Sequence, residues 1–167
     1  MENLWAPWRM SYIKKEANRP DDSCLFCPIV AAAEDERDLV VHRAPLSIAL
    51  LNKYPYNTGH SLIMPRRHLA ELDELEPDEM LDLMETVRLC LRALRRVLKP
   101  DGFNLGLNLG KIAGAGIPGH LHFHLVPRWD GDHNFMAVTA DTRVLPELLP
   151  VTREKIANAI VRILAGK

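Results

Sequence analysis

Gly119-His120-Leu121-His122-Phe123-His124-Leu125-Val126-Pro127-Arg128-Trp129 sets histidine at every second position, with Leu, Phe and Leu between. Side chains on an extended strand alternate between faces. The run therefore reads as a β-strand that turns His120, His122 and His124 to one side and Leu121, Phe123 and Leu125 to a core on the other. Three readings fit it: solvated histidines on an exposed sheet face, a metal site using all three, since His-x-His pairs on strands bind zinc, or a catalytic strand. Imidazole changes protonation near neutral pH and serves as nucleophile, acid, base or ligand, and packing gives no reason to line up three of them.

The segments around this strand fill in an α+β pattern. Before it comes a glycine-rich loop, residues 110–119. Its glycines allow backbone N–H groups to approach a phosphate and Lys111 adds charge, although such a loop is more often only a loop. Phe103 to Asn108 reads as a strand, as do Leu39 to Arg43, Leu46 to Asn52 and His60 to Met64. Tyr54-Pro55-Tyr56-Asn57-Thr58-Gly59 has turn composition. Glu76-Pro77-Asp78-Glu79 opens a long helix, with Pro and acids in its first turn. Met80, Met84, Val87, Leu91, Leu94 and Leu98 follow helical spacing as its buried stripe. Arg92, Arg95, Arg96 and Lys99 load its end, where the helix dipole favours cations; a solvated helix end outweighs an anion site there. Thr152 is expected to cap a final helix whose inner face carries Ile156, Ile160, Ile163 and Leu164. Strands, a long helix, then strands again predict an antiparallel sheet. The expected division is an N-terminal extension (1–23) packed through Trp5, Trp8 and Tyr12, a central domain (24–135) and a C-terminal helical segment (136–167).

Bulk properties narrow the function. A chain of 167 residues with 47% hydrophobic and 26% charged residues fits one soluble domain with a real core. A net charge of −1 gives no footprint for polymeric nucleic acid. No apolar run reaches the roughly 20 residues that span a bilayer, so no membrane partner is expected. The Met-Glu-Asn-Leu-Trp start lacks a basic n-region and an apolar h-region, so no secretory signal is expected. Three cysteines fit a reducing cytoplasm better than a disulfide framework.

The strand resembles the histidine triad (HIT) family, whose signature, His-φ-His-φ-His-φ-φ with φ apolar, is matched at every position of residues 120–126. Asn52 and Thr58-Gly59-His60-Ser61-Leu62-Ile63-Met64-Pro65-Arg66-Arg67-His68 resemble the family's upstream strand, with its Gly-His start and Pro-x-x-His end. Leu4-Trp5-Ala6-Pro7-Trp8-Arg9 and Pro127 to Phe135 are similar to a bacterial branch that includes diadenosine tetraphosphate (Ap4A) phosphorylases. The resemblance implies a HIT-like antiparallel sheet with a long helix and a C-terminal helix, and a homodimer whose sheets join across the interface. It implies that His122, the middle histidine, is the nucleophile that forms a nucleotidyl-histidine, and that His124 binds phosphate oxygens and helps the leaving group. His120 would support the nucleophile or hold a metal. Asn108, allowing one inserted residue, matches a position that hydrogen-bonds phosphate, and Asn52 a position near the ribose hydroxyls. For each, an asparagine satisfying local backbone at a strand end is the plainer alternative. Lys111 and Gly116 of the loop join the expected substrate-binding set.

The chemistry suits the residue type. An attacking group on phosphorus must also be able to leave, and neutral imidazole does both; with a pKa near 6.5, roughly three quarters of an unperturbed His is neutral at pH 7. Covalent catalysis then splits one slow displacement into two faster ones.

Cys24-Leu25-Phe26-Cys27 is a CxxC that reads as a redox pair, half of a zinc site or chance. The intervening Leu and Phe and the lack of a strong preceding strand weigh against a thioredoxin-like motif. Some HIT relatives, and the related galactose-1-phosphate uridylyltransferases, are similar here and pair the cysteines with residues matching His68 and His120. The resemblance thus implies structural zinc on Cys24, Cys27, His68 and His120, with no organic cofactor. Cys90 is expected to be a buried apolar residue.

The leading expectation is an enzyme acting on dinucleoside polyphosphates, an Ap4A phosphorylase using inorganic phosphate. The alternatives are an Ap4A hydrolase, an adenosine phosphoramidase, a nucleotide-binding module with little turnover and a zinc-stabilised interaction domain.

Overall fold

The computed structural model describes residues 24–132 and 147–167. The expected N-terminal extension, residues 1–23, lies outside them, as do residues 133–146, where the central domain ends and the C-terminal segment begins.

Among the described residues, the five strands form one sheet: β1 (Val40–Arg43), β2 (Ser47–Leu51), β3 (Ser61–Pro65), β4 (Gly102–Leu107) and β5 (Phe123–Arg128). They lie in the order β1-β2-β3-β5-β4, and every neighbouring pair is antiparallel. Helix α1 (Phe26–Ala31) covers one face; α2 (Pro77–Leu98) and α3 (Leu149–Leu164) cover the other. Strands β2 and β3 are buried throughout, which is why their sequences are continuous apolar runs. Alternation still sorts the side chains. Ala49, Leu51, Ile63, Phe123 and Leu125 meet Leu83, Val87, Leu94, Ile156 and Ile160 of the two long helices. Ile48, Leu50, Leu62 and Met64 turn the other way, onto Phe26 of α1.

The histidine strand differs from expectation in its start. Pairing begins at Phe123, so His120 to His122 form an approach segment, held by the Leu121 N–H donating to the Leu69 carbonyl (2.7 Å). The helix-side burial of Phe123 and Leu125 follows the alternation as expected.

Helix α2 starts as its sequence dictates. Pro77 occupies the first turn, and the Glu76 and Glu79 side chains cap each other's backbone N–H groups. Lys99 closes it in the left-handed region, φ 48°. Its buried stripe is rotated from the expected one: Met84 is 37% exposed, while Leu83, Thr86 and Ala93 join Val87 and Leu94 inside, beside Cys90, which is buried as expected. Thr86 is drawn in because its hydroxyl meets that of Ser47 (2.8 Å), and Ala93 and Cys90 are small enough for close helix packing. Helix α3 begins after Leu148, with Pro150 in its first turn. Thr152 therefore lies inside the helix rather than capping it, and its hydroxyl donates to Glu147 Oε2 (2.7 Å). Ile156, Ile160 and Ile163 are buried as expected, but Leu164 is largely exposed.

Gly59 is a backbone requirement. Its φ is 79°, and a Cβ there would sit 2.5 Å from Leu98 Cδ1. The turn it closes presents His60 to the α1 face of the sheet.

Candidate active site

The site lies on the α1 face of the sheet, at the junction of β3 and β5. Backbone partners fix the tautomer of each histidine, because a carbonyl can only accept and a backbone N–H can only donate. His122 is buried, and its Nδ1–H donates to the His120 carbonyl (2.7 Å). Its Nε2 therefore carries the lone pair. Burial pushes its pKa below the ordinary value, partly offset by that carbonyl bond, so the neutral nucleophilic form is favoured.

His60 is 1% exposed, and its Nδ1 accepts the Tyr56 N–H (3.0 Å). Its proton thus sits on Nε2, which meets His124 Nδ1 at 3.0 Å. His124 must accept there, so the neutral ring carries its own proton on Nε2. The His122 and His124 rings are 5.0 Å apart. The outcome is a lone pair on His122 beside an N–H donor on His124, the pair needed to attack phosphorus and to stabilise a departing oxygen.

A groove of about 510 Å³ opens beside His124, lined along one side by Asn104, Gly106 and Asn108 of β4 and its end, and along the other by Val126 and Arg128. Asn108 is thus at the groove wall, and its carboxamide also reaches the Gly114 carbonyl at 3.5 Å. Asn52 sits one hydrogen bond behind His60: its Nδ2 is 3.4 Å from His60 Nδ1 and its Oδ1 accepts the Tyr54 N–H (2.9 Å). Lys111 is exposed and Gly116 half-buried, and neither lines the groove. Arg128 forms an ion pair, with Nε and Nη2 on Asp132 (2.5 and 2.9 Å), and its Nη1 donates to Asn104 Oδ1 (2.8 Å).

The four expected metal ligands converge. The ligand atoms of Cys24, Cys27, His68 and His120 all lie within 4.8 Å of one another. His120 Nδ1 is 3.3 Å from Cys24 Sγ and 3.8 Å from Cys27 Sγ, and His68 Nδ1 is 3.3 Å from Cys27 Sγ. Tetrahedral zinc with Zn–S of about 2.3 Å and Zn–N of about 2.0–2.1 Å needs S···N edges of about 3.5 Å. His120 donates its other ring N–H to the Pro65 carbonyl (3.0 Å), the outer bond that leaves Nδ1 as a ligand. Without a metal, burial and the neighbouring Cys24 push the Cys27 thiol up to about 11.

A model of the HIT domain matches residues 33–131, over half of the chain. The chain belongs to the histidine triad family. The AP-4-A phosphorylase of Mycobacterium tuberculosis is 40% identical to it over 167 aligned residues, covering 97% of this chain and 86% of that protein. The adenosine 5′-monophosphoramidase hnt1 of Schizosaccharomyces pombe is 28% identical, covering 83% of this chain and 98% of that one. A crystal structure of a Zn-bound histidine triad family protein from Mycobacterium smegmatis superposes with a TM-score of 0.70 at 26% identity, covering 87% of this chain and 98% of its own. The five-stranded sheet with its long and C-terminal helices is thus the HIT-like α+β fold.

In this histidine triad protein two contributors escape the sequence. His60 was visible only as the start of a strand. Its register signals the role: Leu62, two residues on, pairs with His124, so His60 shares the His124 face. Phe26, between the two cysteines, is buried with its ring set edgewise to His120 (centroids 5.6 Å) and His122 (5.2 Å). Only the contact reveals that the CxxC segment braces His122.

Proposed function

We propose that this protein is an Ap4A phosphorylase-like nucleotidyltransferase that works through a covalent nucleotidyl-histidine on His122. The observation that carries the reading is the His122 Nδ1–H bond to the His120 carbonyl, which leaves Nε2 as the nucleophile. Nε2 attacks the α-phosphorus of Ap4A, an N–P bond forms, and the P–O bond to the other half breaks. ATP departs with the electron pair, assisted by the His124 Nε2–H. Inorganic phosphate then attacks the adenylyl-histidine to give ADP and return the lone pair to His122. The 40% identity to the mycobacterial phosphorylase supports this acceptor. Asn108 at the groove wall, with Lys111, Gly116 and the glycine-loop amides, would bind phosphate oxygens, and Asn52 would serve the ribose side.

Cys24, Cys27, His68 and His120 would hold a zinc ion. It would fill its coordination with protein ligands and so serve structure, leaving no open position for water. The protein is read as a cytoplasmic homodimer with sheets joined across the interface; no helix among the described residues is long and apolar enough to cross a membrane.

The test is product analysis on Ap4A with and without added phosphate. Phosphate-accelerated cleavage to ADP and ATP is expected. AMP plus ATP at a rate indifferent to phosphate would make the protein an Ap4A hydrolase. Turnover confined to adenosine 5′-phosphoramidate would make it a phosphoramidase, and nucleotide binding without turnover a binding module.

A further inference from the structure

We propose that Tyr56 is a positioning residue for leaving-group departure: its ring lies as a plate across the His60–His124 hydrogen bond and holds that pair in line. This rests on reading His124 as the group that assists the departing oxygen. The Tyr56 and His60 rings are stacked, with centroids 4.7 Å apart and planes 22° from parallel. Tyr56 also lies flat against His124, at 6.1 Å and 23°. The two imidazoles are themselves tilted by 41°. Tyr56 is therefore more nearly parallel to each of them than they are to one another, which is the geometry of one plate spanning two rings. Both spacings fall within the range of about 4.5–7 Å for offset aromatic stacking. His60 is 1% exposed and Tyr56 half-buried, so the phenol ring contributes to the cover over the imidazole.

The turn before β3 aims this plate. The Asn57 carbonyl accepts the His60 N–H (3.0 Å), and the Asn57 carboxamide donates to the Pro127 carbonyl (3.1 Å) and Asp132 Oδ2 (2.8 Å), pinning the turn to the end of β5. Tyr56 then addresses one imidazole twice: its backbone N–H takes the edge at Nδ1 (3.0 Å), and its ring takes the face. The two contacts do different work. Hydrogen bonds hold an imidazole by its edge and leave it free to rock out of plane; a stacked face removes that freedom. The bond being held is an uncharged N–H···N of 3.0 Å, and such a bond is modest when water can compete for its partners. Water admitted there would release His124 Nδ1 from the His60 proton, and with it the rule that puts the His124 proton on Nε2.

The test uses the full chain with Tyr56→Leu, which keeps apolar bulk without a flat ring, and Tyr56→Phe, which keeps the ring. With Ap4A, Tyr56→Leu should lower kcat roughly tenfold or more and leave KM within about twofold, while Tyr56→Phe stays within about twofold of the parent in both. On a His60→Phe background, Tyr56→Leu should cost no more than about a further twofold, because the pair it aligns is already gone. A leucine variant that raises KM and spares kcat would make Tyr56 a substrate contact and overturn the proposal. So would a phenylalanine variant as slow as the leucine one, or falls that multiply in the double variant. Nitrogen-15 spectra of the histidine rings separate this from failure of the catalytic reading. Solvent exchange of the His60 Nε2–H should be about tenfold or more faster in Tyr56→Leu and unchanged in Tyr56→Phe. Equal protection in all three proteins overturns the plate; the expected exchange pattern in a protein that turns over no Ap4A upholds it and places the failure in the proposed activity.

Discussion

At the scale of single residues, function rests on where protons sit. The His120 carbonyl and the Tyr56 N–H are fixed by the backbone, and they decide which nitrogen of His122 and His60 is protonated. His122→Ala should abolish turnover and leave the fold intact, as judged by circular dichroism; activity near the parent level would remove His122 from the nucleophile role. His60 gives a finer prediction. It never touches the attacking atom, but its Nε2–H forces the proton of neutral His124 onto Nε2. His60→Phe should lower kcat about 100-fold, with little change in KM, since leaving-group assistance is lost and ground-state contacts are kept. Nitrogen-15 shifts of the His124 ring report the tautomer directly. A parent spectrum with the proton on Nδ1 would contradict the relay.

At the scale of elements, an ion pair and a capping box tie the segment after β3 to the start of α2. Glu79 caps the start of α2 and takes a two-pronged bond from Arg67, which follows β3 (2.9 and 2.7 Å). The Arg67 guanidinium and the Glu76 backbone N–H lower its carboxyl to about 2. A carboxyl lowered on folding stabilises the native state above its unfolded pKa, and that contribution fades as pH falls towards the folded value. Acid unfolding curves of Glu79→Gln and parent should therefore diverge at neutral pH and converge between about pH 4.5 and 2. A constant gap down to pH 2 would deny the linkage. Leu83, fully buried under the sheet, tests the rotated stripe: Leu83→Ala should cost about 2–5 kcal/mol, and Met84→Ala far less. Much of this layer is legible in sequence. Pro77 with flanking acids marks the start of α2, and each strand falls within a few residues of its apolar run. The stripe is not, because hydropathy discounts Thr86, whose hydroxyl finds a buried partner in Ser47. The strand start at Phe123 is not either, because His120 and His122 spend their backbone and ring atoms on carbonyl and sulfur partners that no local pattern encodes. The alternation marked His122 and His124 as neighbours on one face, but only three-dimensional pairing brought His60 to them.

At the scale of the whole molecule, His120 joins the Cys/His cluster to the candidate active site. Its ring belongs to the Cys24, Cys27 and His68 cluster, and its carbonyl accepts the His122 Nδ1–H. The four ligands come from three distant stretches: the segment before and within α1, the loop after β3, and the approach to β5. A metal there would close chain loops of more than 40 residues, and its binding free energy would be folding free energy. Burial of Phe26 against both histidine rings ties α1 to the same unit. One zinc per chain is therefore expected in protein purified without chelators. Strong chelation should lower Tm, and zinc alone should restore it. Cys27→Ser should lower Tm similarly and become insensitive to chelator, with a smaller effect on kcat at temperatures where the variant stays folded, since the four candidate ligands include neither His122 nor a residue lining the groove. Elemental analysis decides the first point. Zinc-free protein with reduced cysteines, full activity and an unmoved Tm would show that these four residues pack against one another without a metal.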